Sequence, residues 1–228
     1  MYNNDYEIKW KYDELPTPKT EEECINVINT TNKELLKLAN SNGWDLIDKK
    51  NNIILEKKSI NGSNIDIVKS TLIIEEIDID ELAKFYIYPT FEQRKSIYHN
   101  LLSNNIIENN EQSNFNITYS QFEGEFGVDP REFITIKSIK KFDNGYMITS
   151  CSINYEDIPF NNNFIRGVNK SGIILIPAII NNKHIIKLTS IDHIDPKGNI
   201  PSFVVNIAHG KMMEKLIEMN HIFKSIIN

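Results

Sequence analysis

The sequence predicts an α+β fold in which a curved antiparallel sheet wraps around a long C-terminal helix. Two observations support this fold class. Segments with strand-like alternation, separated by Asn- and Gly-rich turns, fill most of the chain, and segments with helical periodicity stand at both ends. No internal repeat or low-complexity linker divides the sequence. A strand-rich middle between two helical ends favours one sheet with a helix packed on its face.

The first half of the chain is predicted to contain a helix, three strands and two short helices. Thr20 and Glu23 fit a capping box that begins the first helix, and Gly43 ends it. Alternation of apolar residues from Trp44 onwards predicts the three strands. Pro89 then separates two short helical segments, "DIDELAKFYIYP" and "TFEQRKSIYHNLLS", because proline interrupts a helix.

About six further strands complete the predicted sheet. Apolar and polar residues alternate along them, and turn-forming Asn, Asp and Gly residues separate them. Their repeated up-and-down order is typical of an antiparallel sheet. The predicted strands span about residues 105–109, 114–122, 132–142, 145–154, 164–177 and 183–194.

The final helix is predicted from about Pro201 to Ile226 and is amphipathic. Its polar face contains Glu214, Glu218 and His221. Core packing explains the apolar face most simply, but flexible methionines also suit a surface that covers a cavity. One glycine within it, Gly210, lowers helix stability by about 1 kcal/mol. The apolar stripe consists of Val205, Ala208, Met212, Leu216, Met219 and Phe223.

Composition narrows the class of protein. The chain has 228 residues, of which 40% are hydrophobic and 25% charged, as in ordinary globular proteins. A net charge of −6 argues against nucleic-acid binding, which needs clustered Lys and Arg. The apolar runs are too short to span a bilayer, and the first residues lack the apolar core of a secretory signal. We therefore expect a cytoplasmic protein.

The termini and cysteines add two expectations. Residues 1–19 are polar and aromatic, with Pro16 and Pro18, so we expect a flexible N-terminal arm before one domain of residues 20–228. Cys24 and Cys151 lie far apart in sequence and show no metal-ligand spacing, which predicts reduced, structural thiols.

Several blocks of this sequence resemble the START lipid-transfer domain family. "SIDHIDPKGNIPSFVVN" resembles the end of that domain, where the last strand reaches an Asp-Pro-Lys-Gly turn before the C-terminal helix. "DPREFITIK" resembles the family's Pro-Arg-Asp-Phe strand, with Glu132 in place of the usual Asp, and "FIRGVNKSGIILIP" resembles its Arg-containing strand. These blocks occur in the family's order, which makes the match more specific than any block alone.

The resemblance implies a helix-grip fold with an apolar tunnel between the sheet and the C-terminal helix. It further implies a monomeric protein that binds and transfers one lipid without covalent chemistry and contacts a membrane surface transiently. The loop "EGEFGVDP" resembles the one that rims the tunnel entrance, so Phe126, Gly127 and Val128 are candidate membrane contacts. An ordinary flexible loop is the alternative. The candidate lipid-binding residues are Ser120, Phe133, Lys137, Arg131, Arg166, Val205, Ala208, Met212 and Leu216.

One departure from the family bears on the lipid. Sterol-carrying members commonly have an acid on the strand before the entrance loop and an Arg six positions after the Arg of the Pro-Arg pair. The same count here gives Lys137, six after Arg131, and a position near Ser120, so that charged pair is absent. A tunnel-facing Lys without an acid is costly unless an anionic group neutralises it. We therefore favour a phospholipid, with its phosphate or carboxylate at Lys137; the alternative is that Lys137 points to solvent.

A carrier is favoured over an enzyme. No Gly-rich phosphate loop or Ser nucleophile motif occurs, and no cofactor or metal is expected. The alternatives that stay open are a sterol carrier, a lipid-sensing regulatory protein and a helix-grip enzyme. The five histidines, which show no metal-ligand spacing, are His99, His184, His193, His209 and His221.

Overall fold

The structure, a computed structural model, describes residues 14–124, 128–201, 204–205 and 212–226. Helices and strands follow one another within these ranges in the predicted order: a helix, three strands, two short helices, a second series of strands and a C-terminal helix. The elements are α1 (Glu21–Ala39), β1 (Asp45–Lys50), β2 (Ile53–Lys58), β3 (Ile67–Glu75), α2 (Ile79–Ile87), α3 (Phe91–Ile97), β4 (Leu101–Asn110), β5 (Phe115–Phe122), β6 (Arg131–Phe142), β7 (Gly145–Ser152), β8 (Ile165–Arg166), β9 (Val168–Ile180), β10 (Lys183–Asp195) and α4 (Met212–Ile226).

The strands form a single sheet in the order β1-β2-β3-β10-β9-β7-β6-β5-β4. All neighbours on this path are antiparallel, and the two-residue strand β8 pairs in parallel with the start of β6. The last strand, β10, lies between β3 and β9 and so joins the early strands to the later ones. A curved antiparallel sheet with a C-terminal helix on its concave face confirms the predicted α+β fold.

Helix α1 covers the convex face of the sheet. Its predicted capping box is confirmed, because the Thr20 side chain accepts a hydrogen bond from the Glu23 backbone at 3.2 Å and Glu23 accepts one from the Thr20 backbone. Leu35 and Leu38 on α1 are buried against convex-face residues such as Ile174. The helix ends at Ala39, a few residues before the predicted Gly43.

Helices α2, α3 and α4 lie on the concave face. Phe223 of α4 is fully buried, and its ring meets the edges of Phe85 and Tyr86 at centroid distances of 5.3 and 5.7 Å. Leu216 is also buried, as the stripe predicted, whereas Met212 is half-buried and its neighbour Met213 takes the buried position. Within the described residues no helix is both long and apolar enough to cross a membrane.

The exposed face of α4 also follows the prediction. Glu214, Glu218 and His221 are all exposed, on the side away from the sheet. Val205 is helical and half-buried, and Ala208 lies outside the described residues. The amphipathic pattern therefore oriented α4 correctly where the structure describes it.

Two strands differ from their predicted bounds by more than two residues. The strand predicted at 105–109 begins at Leu101, which is fully buried and pairs with Phe122. The strand predicted at 164–177 is interrupted at Gly167, whose backbone N–H donates to the carbonyl of Glu132 at 3.0 Å. A side chain at Gly167 would overlap the ring of Phe133, because a Cβ there would lie 2.4 Å from it.

The described part of the N-terminal arm contacts the end of β7. The backbone N–H of Asn154 donates to the carbonyl of Pro16 at 2.9 Å, and its side-chain amide donates to the carbonyl of Leu15 at 3.2 Å. Leu15 and Pro16 therefore have a defined partner on the body of the protein.

Candidate functional site

A cavity of about 200 Å³ lies between the concave face of the sheet and the three helices that cover it. Strands β5, β6, β7, β9 and β10 form its floor, and α2, α3 and α4 form its walls. Its lining is mixed, with aromatic walls and a more polar floor. The lining residues are Phe85, Tyr86, Pro89, Arg94, Ile97, Tyr98, Ser120, Phe122, Phe133, Thr135, Lys137, Ile148, Thr149, Ser150, Asn169, Ser171, Gly172, Ile173, Asp192, Ile194 and Met219.

The helices α2 and α3 of the cavity wall are defined by a break at Pro89 and by an N-cap on each helix. Asp78 caps α2 by accepting backbone hydrogen bonds, and Thr90 with Gln93 forms a capping box for α3. Pro89 lies between the two helices and lines the cavity. The chain therefore changes direction over the cavity, and helical segments on both sides of the break supply side chains to it.

The cavity floor contains a row of polar residues across four strands. Asp192 on β10 pairs with Ser171 on β9, Ser171 pairs with Ser150 on β7, and Ser150 pairs with Lys137 on β6. Directly paired residues of antiparallel strands point to the same face, and all four line the cavity. Three strand spacings of ~4.8 Å put about 14 Å between the backbones of Asp192 and Lys137. We call these four residues the floor row.

Lys137 forms the basic end of the floor row. Its side chain is buried, with 9% of the residue exposed. Within the described residues its ammonium has no hydrogen bond or ion pair, and the nearby charged group is Arg94. Burial lowers its pKa well below the ordinary value of 10.5, and the nearby Arg94 lowers it further. Of its two predicted orientations, the one facing the interior is found.

Arg94 is a second cation in this part of the cavity, and the sequence analysis missed it. Its guanidinium donates to Asn104, which also accepts a hydrogen bond from Ser120 at 2.9 Å. Burial lowers the pKa of Arg94. Arg94, Ile97 and Tyr98 follow helical spacing and all line the cavity, so that shared helix face was the available signal.

Asp192 forms the acidic end of the floor row. It accepts a hydrogen bond from Ser190 at 2.8 Å, and burial raises its pKa to about 6 in spite of that bond and of Lys215 nearby. The sequence analysis also missed this residue. The sequence pattern that could have identified Asp192 is strand alternation. Ser190, Asp192 and Ile194 face the interior, while buried His193 faces the opposite side.

Arg131 holds the turn that leads toward the C-terminal helix and does not line the cavity. Its guanidinium donates to the carbonyls of Pro196 and Lys197, each at 3.1 Å, and also to that of Asp129. The turn needs Gly198, which has φ +72° and whose missing Cβ would lie 3.1 Å from the Arg131 guanidinium. Arg131 therefore links the start of β6 to the Asp-Pro-Lys-Gly turn.

Arg166 lies on the convex side and has an acidic partner. Its guanidinium contacts the fully buried Glu132 carboxylate at 2.6–2.7 Å. The hydroxyl of Tyr119 donates to the same carboxylate at 2.5 Å. Desolvation, with help from Glu132, raises the pKa of Tyr119 to about 12. These contacts satisfy both charges within the protein.

The other predicted site residues divide by position. Ser120 and Phe133 line the cavity together with Lys137. Met212 and Leu216 pack in the adjoining core, and α4 contributes Met219 to the cavity wall instead. Val205 is half-buried and outside the lining, and Val128 is half-buried beside Gly124. Phe126, Gly127 and Ala208 lie outside the described residues.

Solved structures with this architecture share the helix-grip fold. Human StAR-related lipid transfer protein 5 superposes with a TM-score of 0.79 at 14% identity, over 92% of this chain and all of that one. Human STARD10 gives 0.72 at 17% identity, over 92% and 82% of the two chains. A STAR-related lipid transfer protein from Xanthomonas axonopodis gives 0.65 at 14% identity, over 82% and 99%. The protein therefore has the helix-grip fold that the sequence predicted.

The family follows from the sequence match. The START domain model matches residues 95–223, which is more than half of the chain, so the chain belongs to the START domain family. No curated protein matches the sequence. The matched region contains the whole floor row, the Asp-Pro-Lys-Gly turn and most of α4.

Proposed function

We propose that this protein binds one lipid in the cavity and transfers it between membranes. The observation that carries the proposal is an interior cavity with aromatic walls in a START domain protein. Human StAR-related lipid transfer protein 5 has the same fold, which supports the proposal at the level of the class of ligand.

The energetics of lipid exchange explain why such a cavity is useful. Moving a 16-carbon chain into water costs roughly 12 kcal/mol at ~0.8 kcal/mol per methylene, so unassisted exchange is slow. A cavity that replaces this water contact removes most of that barrier. Met219 of α4 lines the cavity, so displacement of α4 would open its wall. Helix α4 acts as the lid in this proposal.

A phospholipid is the favoured ligand, with its phosphate at Lys137 and Arg94. Two cations share this part of the cavity, and the described residues give Lys137 no acidic partner. A phosphate would supply the missing negative charge and accept hydrogen bonds from both side chains. A sterol would bring only a hydroxyl and leave the cations uncompensated, so a sterol carrier is the second candidate.

Apolar residues near the turn support transient membrane contact. Ile194 lines the cavity yet is 44% exposed, and Val204 beyond the turn is 42% exposed. The two residues flank the Asp-Pro-Lys-Gly turn in the chain. Insertion of these side chains into the membrane interface would bring the cavity close to its lipid source.

Lipid extraction from vesicles tests the proposal. Purified protein is incubated with vesicles that contain phospholipid and sterol, separated from them, and analysed by native mass spectrometry. We expect one phospholipid per chain, recovered chemically unchanged, as a carrier requires. Lys137→Met should lower phospholipid extraction about tenfold and leave sterol extraction unaffected, because it removes a charged donor to phosphate.

A matched control variant is available on the same strand. Lys140 is exposed on β6, so Lys140→Met changes the same residue type without touching the cavity. It should extract lipid as the wild type does. Failure of the wild type to acquire any lipid would overturn the proposal, and turnover of the bound lipid would favour an enzyme.

A further inference from the structure

We propose that the floor row is a head-group site in which Asp192 selects phospholipids that end in a hydrogen-bond-donating ammonium. This inference rests on the proposed function and specifies its ligand. The chemical class is a phosphodiester head group with a primary ammonium, such as ethanolamine, rather than one with a trimethylammonium.

The hydrogen-bonding groups of the floor row change from donors at one end to an acceptor at the other end. At one end, Lys137 offers only donors. Next to it, Ser150 accepts a hydrogen bond from the side-chain amide of Asn169 at 3.0 Å, so its own hydroxyl proton is available to a ligand oxygen. At the other end, Asp192 offers acceptors. The row therefore presents donors at the β6 end and an acceptor at the β10 end.

Both ends of the row face one space. Tyr98, the C-cap residue of α3, lies opposite the floor and interacts electrostatically with both Arg94 and Asp192. The small side chains of Ser150 and Ser171 occupy the middle of the row and leave room between the charged ends. A head group lying along the row would place its phosphate at Lys137 and its ammonium at Asp192.

The surroundings of Asp192 favour an ammonium with N–H groups. A trimethylammonium has no hydrogen to donate and relies on charge and on aromatic faces. The ammonium of Lys215 already lies 3.9 Å from the centroid of the Tyr98 ring, so this aromatic face is occupied. A primary ammonium, in contrast, can donate to the Asp192 carboxylate, and such charge-assisted hydrogen bonds are the stronger kind.

A second unpaired group supports a polar ligand at this level of the cavity. The side-chain oxygen of Asn169 is buried and has no hydrogen-bond partner within the described residues. Asn169 lines the cavity and contacts Ser150 of the floor row. Buried polar atoms are rarely left without partners, so an additional donor from a ligand fits this position.

The test compares three head groups on identical acyl chains. Vesicles with equal amounts of phosphatidylethanolamine, phosphatidylcholine and phosphatidylglycerol are offered to the wild-type protein and to Asp192→Leu and Asp192→Asn. Bound lipids are identified by native mass spectrometry. We expect the wild type to extract phosphatidylethanolamine about tenfold over the other two, since it alone has both a phosphate and an ammonium donor.

The Asp192 variants test head-group preference separately from lipid binding. Asp192→Leu should lose the preference while still extracting phospholipid, and Asp192→Asn, which keeps an acceptor without the charge, should reduce it. Asp45→Asn at the exposed start of β1 is the control and should behave as the wild type. Equal extraction of all three lipids, or a preference that persists in Asp192→Leu, would overturn the inference with lipid binding intact. No extraction at all would overturn the proposed function as well.

Discussion

Glu132 and Lys137 are buried on the same strand, five residues apart, on opposite faces of the sheet. Glu132 faces the convex side, where Arg166 and Tyr119 bind its carboxylate. Lys137 faces the cavity, where no acidic side chain among the described residues contacts its ammonium. A buried charge that is satisfied within the protein serves the fold, whereas one without a partner lowers stability. We propose that a ligand compensates the charge of Lys137.

The largest expected effect comes from breaking the satisfied pair. Glu132→Ala leaves the Arg166 guanidinium buried without its acid, which should lower the free energy of unfolding by about 3–5 kcal/mol. Urea denaturation measures this loss. The exposed pair of Lys84 and Glu81 is the control, and Glu81→Ala should change stability far less, because water screens this pair. Equal losses in both variants would remove the distinction between the two kinds of charge.

A smaller and opposite effect is expected at the acidic end of the floor row. Because the pKa of Asp192 is raised to about 6 from 3.8, the folded state holds its proton more tightly than the unfolded state. The stability that the protonated Asp192 contributes is therefore fully present below pH 3.8. It is lost as the pH rises through 6. At pH 7, Asp192→Asn should stabilise the lipid-free protein by about 2–3 kcal/mol.

Thermal unfolding at several pH values measures this effect. The wild type should lose stability relative to Asp192→Asn from about pH 4 to about pH 7, and the difference should stay constant at higher pH. Arg94, Tyr86, Tyr98 and Lys215 also face this region, so the comparison is between two proteins that share them. Parallel curves for the two proteins would show that Asp192 does not carry the raised pKa.

At the basic end, Lys137→Met should stabilise the lipid-free protein by about 1–2 kcal/mol, because it removes a desolvated cation. The lowered pKa of Lys137 means that the unfolded state holds the proton more tightly. Stability should therefore rise with pH up to about 10.5 in the wild type, and less so in the variant. Urea denaturation at pH 7 and pH 9.5 checks both statements. A destabilised variant would indicate an internal partner for Lys137.

The smallest effect is expected far from the cavity. Thr20→Ala removes the N-cap of α1 on the convex face and should cost about 1 kcal/mol of stability. Lipid extraction should not change, because no residue of α1 lines the cavity. Thr20→Ser, which keeps the hydroxyl, should restore the stability. Loss of lipid extraction in Thr20→Ala would mean that stability alone explains the cavity variants.

Much of the fold was predictable because it depends on local signals. The capping box at Thr20, the helix break at Pro89 and the Asp-Pro-Lys-Gly turn are each encoded by neighbouring residues. Counting from the Pro-Arg pair also brought Lys137 and Ser120 to the cavity wall. The helix signals needed only the local sequence, whereas the count to Lys137 and Ser120 depended on the resemblance to the START family.

The rest of the site depends on tertiary contacts. Arg94 and Asp192 line one cavity because α3 lies over the sheet face that contains Asp192, and no local sequence pattern predicts that arrangement. The roles of Arg131 and Arg166 depend on partners 65 and 34 residues away in the chain, Pro196 and Glu132. The sequence left two roles open for both arginines, contact with the ligand or support of the protein, and their hydrogen bonds hold the protein itself.

The most direct test of lipid binding is a substitution on the sheet that fills the cavity with a larger side chain. Ser171 lies in the middle of the floor row, and Ser171→Phe would place a ring in the space that the lipid is proposed to occupy. Native mass spectrometry after incubation with vesicles then compares this variant with the wild type, with circular dichroism to confirm folding. We predict one bound phospholipid in the wild type and none in the folded variant. Equal lipid occupancy in both proteins would contradict the account.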